Sequence, residues 1–288
     1  MLFHARDLDY KELNHYRDMR EKYPWQVWVL VHFESPANTH LGKILVFEDL
    51  FNWTLTYDHR SDIAVPYGRN ILLKANERRP AAGTNFAAGK DKVVFTAISN
   101  CDSTARIAFV SELQKHVAVD VYGKCQKKIN PRANNTCNVN TNECTQLKAR
   151  YKFVIAIENS LCEDYVTEKF YVNGLHDGLV PIALNGGNLE DVKIAPPDSF
   201  IDINKFQRVS ELGRYLNFLN ENDKDYNRFH QWRSHYEIGG RKVGCLICEA
   251  LWRNDDERLM MNQKIDLKSI WSKNKCRNMS RVLLSKII

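Results

Sequence analysis

The sequence predicts an α/β protein with two domains, each built on a mostly parallel sheet. Apolar runs at 93–98 and 117–122 flank a stretch with helical spacing, and the same strand–helix–strand order returns over 153–184. A strand, a helix and a second strand within roughly 30 residues give a parallel pair of strands. The length of 288 residues is enough for one large domain or two modest ones.

The first predicted domain covers residues 1–85. An apolar run at 28–33 predicts a buried strand. Residues 51–57 predict either a helix end or a short strand, and 63–67 predict a second short strand. Residues 69–92 lack periodicity and are interpreted as linker, so we expect the domain boundary there.

The second predicted domain covers residues 86–255, and residues 256–288 form a predicted C-terminal tail. Its predicted strands are at 93–98, 117–122, 153–157, 180–184 and 199–203. Its predicted helices are at 104–115, 165–177 and 211–220. Residues 124–149 are polar, carry three cysteines and are interpreted as an insertion between the two strand–helix–strand units.

The composition argues against some classes of function. A net charge of +6 suits an anionic ligand, but the basic residues are dispersed. No aromatic RNA-binding signature occurs in the sequence, so nucleic acid is not an expected partner. The sequence has neither a signal peptide nor a run of apolar residues long enough to predict a membrane-spanning helix.

The cysteines and sequons indicate a secretory compartment. The chain has eight cysteines, and Asn-x-Ser/Thr sequons make Asn52, Asn134 and Asn278 glycosylation candidates. Together these features favour a lumen in which disulfides form. Cys245 and Cys248 predict either a disulfide or half of a zinc site. The sequence shows no second pair at zinc-finger spacing, which favours disulfides and leaves their pairing open.

The most informative stretch is 151–173. An apolar run there stops at Glu158 and Asn159, a polar loop follows, and a helix is predicted to begin near residue 165. In open α/β sheets, ligands bind outside the carboxyl ends of the strands. Free N–H groups at a helix start favour anions. Lys169 lies in the first predicted helical turn, where a phosphate partner would account for its charge.

Several strings around this stretch resemble the donor-site signature of the α1,3/α1,4-fucosyltransferases, glycosyltransferase family 10. They are Glu158-Asn159-Ser160, the segment 164–169 (DYVTEK) and Val180-Pro181. The resemblance implies two Rossmann-like domains facing a cleft (GT-B type). It also implies an incomplete N-terminal domain, because the family's membrane anchor, stem and first strand are expected to lie outside this chain.

The resemblance implies a set of donor-binding residues. They are Arg106, Tyr122, Asn159, Tyr165, Glu168 and Lys169. Glu168 is expected to accept hydrogen bonds from the ribose of GDP-fucose, and Lys169 to pair with the diphosphate. Arg106 is expected to supply a second positive charge there, and Asn159 to orient phosphate or fucose. The two tyrosines are expected near the ribose or the guanine base, Tyr122 near the guanine.

Glu34 is the predicted catalytic base. The string 32–36 (HFESP) resembles the family's strand-end Glu-Ser-Pro, whose glutamate has that role. Inversion of the anomeric carbon in one step needs a base that takes the proton of the acceptor hydroxyl. His32 is a competing base, since its usual pKa is suitable and it shares a strand face with Glu34.

The predicted function is transfer of L-fucose from GDP-β-L-fucose to a hydroxyl of N-acetylglucosamine in glycoprotein or glycolipid glycans, with an α1,3 linkage, in the Golgi lumen. The acceptor can be a Lewis-type antenna or an N-glycan core. Membrane contact is expected only through an anchor absent from this chain. No essential cofactor and no metal site are predicted, and stimulation by Mn²⁺ is left open.

Two further points follow from the resemblance. The family's C-terminal Cys-x-x-Cys makes Cys245, Cys248 and Cys276 disulfide candidates. The alternative function is a catalytically inactive luminal module that binds glycans or acts as a chaperone, because a missing inner strand would expose a sheet edge and remove part of a core.

Overall fold

The computed structural model describes residues 1–78, 83–132, 134–137, 141–253 and 264–287. The chain divides into two compact units. The first unit comprises Met1–Tyr67, Cys162–Tyr165 and Gly240–Arg277. The second unit comprises Gly68–Leu161, Val166–Gly239 and Asn278–Ile288.

The secondary structure follows in chain order. The strands are β1 (Leu2–His4), β2 (Val29–His32), β3 (Trp53–Thr56), β4 (Ile63–Ala64), β5 (Arg69–Leu72), β6 (Lys92–Ala97), β7 (Val119–Tyr122), β8 (Tyr151–Ile157), β9 (Leu161–Cys162), β10 (Val180–Leu184), β11 (Ile201–Asp202), β12 (Tyr236–Gly239) and β13 (Cys276–Arg277). The helices are α1 (Leu13–Lys22), α2 (Leu41–Leu45), α3 (Thr104–Leu113), α4 (Gln126–Ile129), α5 (Asn142–Ala149), α6 (Glu168–Phe170), α7 (Val209–Glu221), α8 (Asp223–Arg228), α9 (Val243–Arg253), α10 (Leu267–Ile270) and α11 (Met279–Leu284). A π-helix, Tyr171–His176, continues α6.

The sheet of the first unit is parallel, with the strand order β1-β2-β3-β4. Side chains alternate between its faces, so Leu30 packs in one apolar cluster with Trp28 and Phe51, while Val29 and Leu55 pack in another. All four strands end at the same edge because they are parallel. The residues that follow β2, Glu34 among them, therefore lie at the carboxyl edge of this sheet.

The sheet of the second unit is also parallel, with the order β11-β10-β8-β6-β7. Its strands are apolar runs because helices cover them, and every residue of β8 is buried. The chain runs from β6 through α3 to β7 on one side, whereas β8, β10 and β11 extend on the other. The strand order therefore reverses between β6 and β8, which is the place where α/β sheets bind ligands.

The structure confirms the two parallel α/β sheets and differs from the sequence prediction in three details. The stretch predicted as linker contains β5, which pairs antiparallel with β12. The helix predicted from residue 165 begins at Glu168, because residues 162–165 form a turn and Thr167 caps the helix. The compact units also divide the chain differently from the predicted ranges, because Gly240–Arg277 packs with the first sheet.

Three disulfides connect six of the cysteines. They are Cys101–Cys125, Cys137–Cys144 and Cys162–Cys276. Of the three predicted candidates, only Cys276 is paired. Cys245 and Cys248 are free thiols on the exposed side of α9, so their predicted disulfides are absent from this structure.

The three predicted glycosylation sites differ in exposure. Asn134 and Asn278 are exposed, although Asn278 also caps α11 by accepting from Arg281. Asn52 is only 2% exposed, and its side chain accepts hydrogen bonds from Trp28 and Arg20. The side chain of Asn52 is therefore not accessible for glycosylation in the folded chain. No helix among the described residues has the length and apolar character that crossing a membrane requires.

Candidate active site

The donor side of the candidate site begins with Glu158, the first residue after β8. Its carboxylate is fully buried. It accepts hydrogen bonds from the backbone N–H and hydroxyl of Thr167, both at 2.8 Å, and from Nζ of Lys169 at 2.9 Å. Thr167 and Lys169 open the next helical segment, so one buried carboxylate fixes the start of that segment to the strand end.

Lys169 remains a cation in this setting. Burial by itself lowers the pKa of Lys169, but the attraction of Glu158 and Glu168 outweighs burial and raises the pKa above its usual range. The side chain of Lys169 is 27% exposed, and the carboxylate of Glu168 lies 3.5 Å from its ammonium. Lys169 is thus a positive charge that Glu158 and Glu168 hold in place and that is still partly exposed at the surface.

Arg106 supplies the second cation at the same edge of the sheet. It extends from the first turn of α3 and donates to the carbonyl of Asn100 at 3.2 Å and that of Ile157 at 3.4 Å. These carbonyls follow β6 and end β8, so the guanidinium lies at the point where the strand order reverses. Its Nε has no hydrogen-bond partner among the described residues. Arg106 and Lys169 line one small cavity together.

The remaining predicted donor residues are placed unevenly. Asn159 follows Glu158 and accepts from the hydroxyl of Ser160 at 3.1 Å. Glu168 lies beside Lys169 and is half exposed. Tyr122 is 4% exposed, its ring stacks on Phe95 and its hydroxyl meets that of Tyr151 at 2.9 Å. Core packing accounts for these contacts of Tyr122, and its place beside a guanine base stays a prediction.

Glu34 lies in the first unit, two residues after β2. Its carboxylate accepts hydrogen bonds from Arg6 (2.8 Å), the backbone N–H of Ser35 (2.9 Å) and the hydroxyl of Tyr165 (2.8 Å). The side chain of Glu34 is 17% exposed. Fixed donors hold this carboxylate at the surface of the sheet edge, where it can meet another molecule.

The Cys162–Tyr165 segment brings Tyr165 to Glu34. The disulfide to Cys276 holds its first residue, Asp164 accepts from the backbone N–H of His59 at 3.2 Å, and Tyr165 packs on Tyr57 with ring centroids 5.0 Å apart. Tyr165 is 3% exposed. The residues on both sides of this segment belong to the second unit. Tyr165 therefore contacts the predicted base, whereas the sequence placed it with the donor.

His32 is poorly suited to be the base. It is 4% exposed, its Nε2 lies 2.8 Å from the hydroxyl of Thr39, and Trp271 packs against its ring. Burial lowers the pKa of His32 to about 4, and the nearby Arg6 adds to that shift. A buried imidazole with a lowered pKa is a weak and inaccessible base, so Glu34 is the better candidate.

One group of side chains among the described residues has the geometry of a metal site: Asp58, His59 and Asp164 in the first unit. Arg60 already forms an ion pair with Asp58. His59 forms a hydrogen bond with Asp164. All three side chains therefore already have protein partners.

Sequence reasoning missed two residues that shape these sites. The sequence analysis gives Glu158 only as part of the family signature, but a carboxylate directly after a strand buried on both faces indicates that a cation lies nearby. Arg6, which contacts Glu34, follows a strand too short to be recognised from periodicity.

Comparison with known proteins agrees with these observations. The family model "Glycosyltransferase family 10 (fucosyltransferase) C-term" matches residues 87–267, and "Fucosyltransferase, N-terminal" matches residues 1–68. The chain belongs to glycosyltransferase family 10. The family resemblance seen in the sequence is thereby confirmed.

Curated relatives in the family carry names of one kind. "Alpha-(1,3)-fucosyltransferase fut-1" of Caenorhabditis elegans is 33% identical over 252 residues, which cover 83% of this chain and 56% of the relative. "Glycoprotein 3-alpha-L-fucosyltransferase A" of Drosophila melanogaster is 33% identical, covering 85% of this chain and 47% of the relative. Human "4-galactosyl-N-acetylglucosaminide 3-alpha-L-fucosyltransferase FUT6" is 32% identical, covering 81% and 61%.

These relatives are longer than this chain, which spans about half the length of those it matches, between 47% and 61%. Among solved structures, one titled "Crystal Structure of alpha1,3-Fucosyltransferase" matches with a TM-score of 0.46 and 15% identity, covering 81% of this chain and 68% of that one.

Proposed function

We propose that this chain carries the catalytic region of an inverting α1,3-fucosyltransferase that uses GDP-β-L-fucose. The observation that carries the proposal is the pair Arg106 and Lys169. The two cations line one cavity where the strand order of the second sheet reverses, and Glu158 anchors Lys169 from beneath. Family membership supports the same activity.

The two cations suit a leaving nucleoside diphosphate. Negative charge grows on the diphosphate as the bond to the sugar breaks, and fixed positive groups stabilise that charge without having to reorganise. Glu168 is half exposed beside Lys169, where it can accept hydrogen bonds from ribose hydroxyls. Asn159 follows at the strand end and would orient phosphate or fucose. Because arginine and lysine supply the charge, we propose that no metal is essential.

Glu34 would act as the base. Its carboxylate takes the proton of the acceptor hydroxyl while that oxygen attacks the anomeric carbon. Tyr165 and Arg6 donate to different oxygens of the carboxylate, so they fix its orientation. We therefore assign Tyr165 to the base and not to the donor.

The acceptor is proposed to be N-acetylglucosamine in a glycoprotein or glycolipid glycan, and the site of action the Golgi lumen. The name of the Drosophila relative includes the word "glycoprotein", and that of the human relative includes "N-acetylglucosaminide". Three disulfides are consistent with a lumen. Both a Lewis-type antenna and an N-glycan core fit this proposal.

Titration of the folded chain with GDP and GDP-fucose tests the donor site. Lys169→Ala should weaken binding of both at least tenfold, because each contains the diphosphate. Lys205→Ala, which removes an exposed lysine of the same unit, is the matched control and should bind as the unchanged protein does. Equal affinity of the Lys169→Ala variant and the control would reject the donor site.

The alternative, an inactive luminal module, is separated by product analysis. GDP-fucose and a panel of glycans are incubated with the chain, and the products are weighed. A mass gain of one deoxyhexose on an N-acetylglucosamine-containing glycan supports the transferase. GDP-fucose binding without any product, in a folded sample, supports the inactive module.

A further inference from the structure

The second unit contains a cavity of about 660 Å³ that the proposed donor site does not use. It lies between the end of α7, α8, the loop before β11 and the start of β12. Lys152, near the start of β8, donates to the carbonyl of Asn220 at the end of α7. This cavity is therefore at the amino edge of the sheet, opposite the edge that holds Arg106 and Lys169.

Two helices present ordered ridges to the cavity. Tyr215 and Phe218 are one turn apart on α7, and Phe218 remains 48% exposed although it is a large apolar side chain. Phe229, directly after α8, and Tyr236 line the other walls. Several aromatic rings therefore border the cavity, and the faces of such rings are flat apolar surfaces.

Charged and polar groups alternate with these rings. Asp225 and Arg228 project from α8 with their charged atoms 3.7 Å apart. Asp198 also lines the cavity, and its backbone φ of +53° is uncommon for residues other than glycine. Both carboxylates and the guanidinium therefore lie beside the aromatic rings in one lining.

We propose that this cavity is a second binding site for a neutral oligosaccharide. Sugars present apolar C–H faces and a rim of hydroxyls, and this lining matches both: aromatic rings for the faces, and two carboxylates and a guanidinium for the hydroxyls. A nucleotide would meet the two aspartates with its own negative charge. Only the choice of saccharide probes rests on the proposed function.

The test uses the full chain without any nucleotide. Binding of N,N′-diacetylchitobiose and of N-acetyllactosamine is followed by saturation-transfer NMR and by titration. Phe218→Ala and Asp225→Asn should each weaken binding about tenfold. Both positions are at the surface of the unit, so circular dichroism should show both variants folded.

Two controls separate this site from others. Trp25→Ala removes a 62% exposed aromatic from the first unit, and Lys169→Ala removes the proposed donor contact. Both should bind the saccharides as the unchanged chain does. Absence of binding at millimolar concentration, or affinity unchanged by Phe218→Ala and Asp225→Asn, would overturn the proposal. Loss of saccharide binding in Lys169→Ala alone would place the sugar at the donor site instead and would also overturn it.

Discussion

Each of the two sheets has a glutamate just after one of its strands, and the two glutamates lie in different environments. Glu34 follows β2 of the first sheet, and Glu158 follows β8 of the second. Both come after apolar strands, and both accept several hydrogen bonds. Glu158 is fully buried, however, whereas the side chain of Glu34 is 17% exposed.

The difference comes from where the donors originate. Glu158 binds Thr167 and Lys169, which lie about ten residues further along the same chain segment and close over it. Glu34 also accepts from the adjacent N–H of Ser35, but its side-chain donors Arg6 and Tyr165 come from two separate segments, and its side chain stays 17% exposed. A strand-end carboxylate thus becomes an anchor when local donors cover it, and stays available for chemistry when distant donors only orient it.

Among the tests of this difference between the two glutamates, the largest effect is expected on turnover, at Glu34. Glu34→Gln keeps the size of the side chain and removes its ability to take a proton, so turnover should fall by about 10² to 10⁴-fold. Affinity for GDP should stay nearly unchanged. Glu21→Gln, at an exposed position of α1, serves as the control for transfer assays. Turnover retained by Glu34→Gln would show that another group is the base.

The matched change at Glu158 should act on stability first. Glu158→Gln leaves the ammonium of Lys169 without its buried counter-charge, which should lower the free energy of unfolding by about 3 kcal/mol and weaken GDP binding as Lys169 loses its place. Urea unfolding and GDP titration measure the two effects. Glu168→Gln, at the half-exposed neighbour, should leave stability unchanged. Equal stability of both variants would mean that Glu158 is not an anchor.

Each unit also buries one histidine, which gives a pH test. Burial lowers the pKa of His32 to about 4 and that of His230 to about 3, from a usual 6.5. Below pH 6.5 the unfolded chain binds protons that the folded chain cannot, so stability should fall as the pH decreases towards 4. The loss should be about 2 to 3 kcal/mol per histidine.

Thermal unfolding between pH 7.5 and 4.5 measures this slope. His32→Gln and His230→Gln should each flatten it. His176→Gln is the control, because the side chain of His176 is 74% exposed. A slope that neither buried-site variant changes would show that these histidines do not control acid stability.

The strands of the second sheet could be predicted from the sequence because they are buried on both faces and therefore form continuous apolar runs. Val180–Leu184 matches its predicted range. The β5–β12 pair could not be predicted from the sequence. Its half-buried residues alternate only weakly, and the two strands are more than 160 positions apart in the chain. Pairing over such distance is decided by packing, which a local pattern does not contain.

The same limit applies to the candidate site. Arg106 and Lys169 were predictable because both follow strand ends that meet at one edge. Tyr165 contacts Glu34, which the sequence did not predict, because the four residues before Val166 pack with the first unit. That path depends on Cys276 and on His59, which is 105 positions away from Asp164. The local sequence motif singles out Tyr165 but does not show that its hydroxyl contacts Glu34.

The smallest expected effect concerns how Glu34 is oriented. Tyr165→Phe removes one donor from the carboxylate and keeps the ring between its aromatic neighbours, so kcat should fall about tenfold, the size of one hydrogen bond to a charged group. Because Tyr165 is proposed to orient the base and not to bind the donor, the affinity for GDP should stay nearly unchanged. Tyr16→Phe removes a similar hydrogen bond to Glu12 at an exposed place and should change neither quantity. A fall in kcat together with a loss of affinity for GDP would mean that Tyr165 acts on the donor site, and the orientation of Glu34 would then be assigned to Arg6 and Ser35.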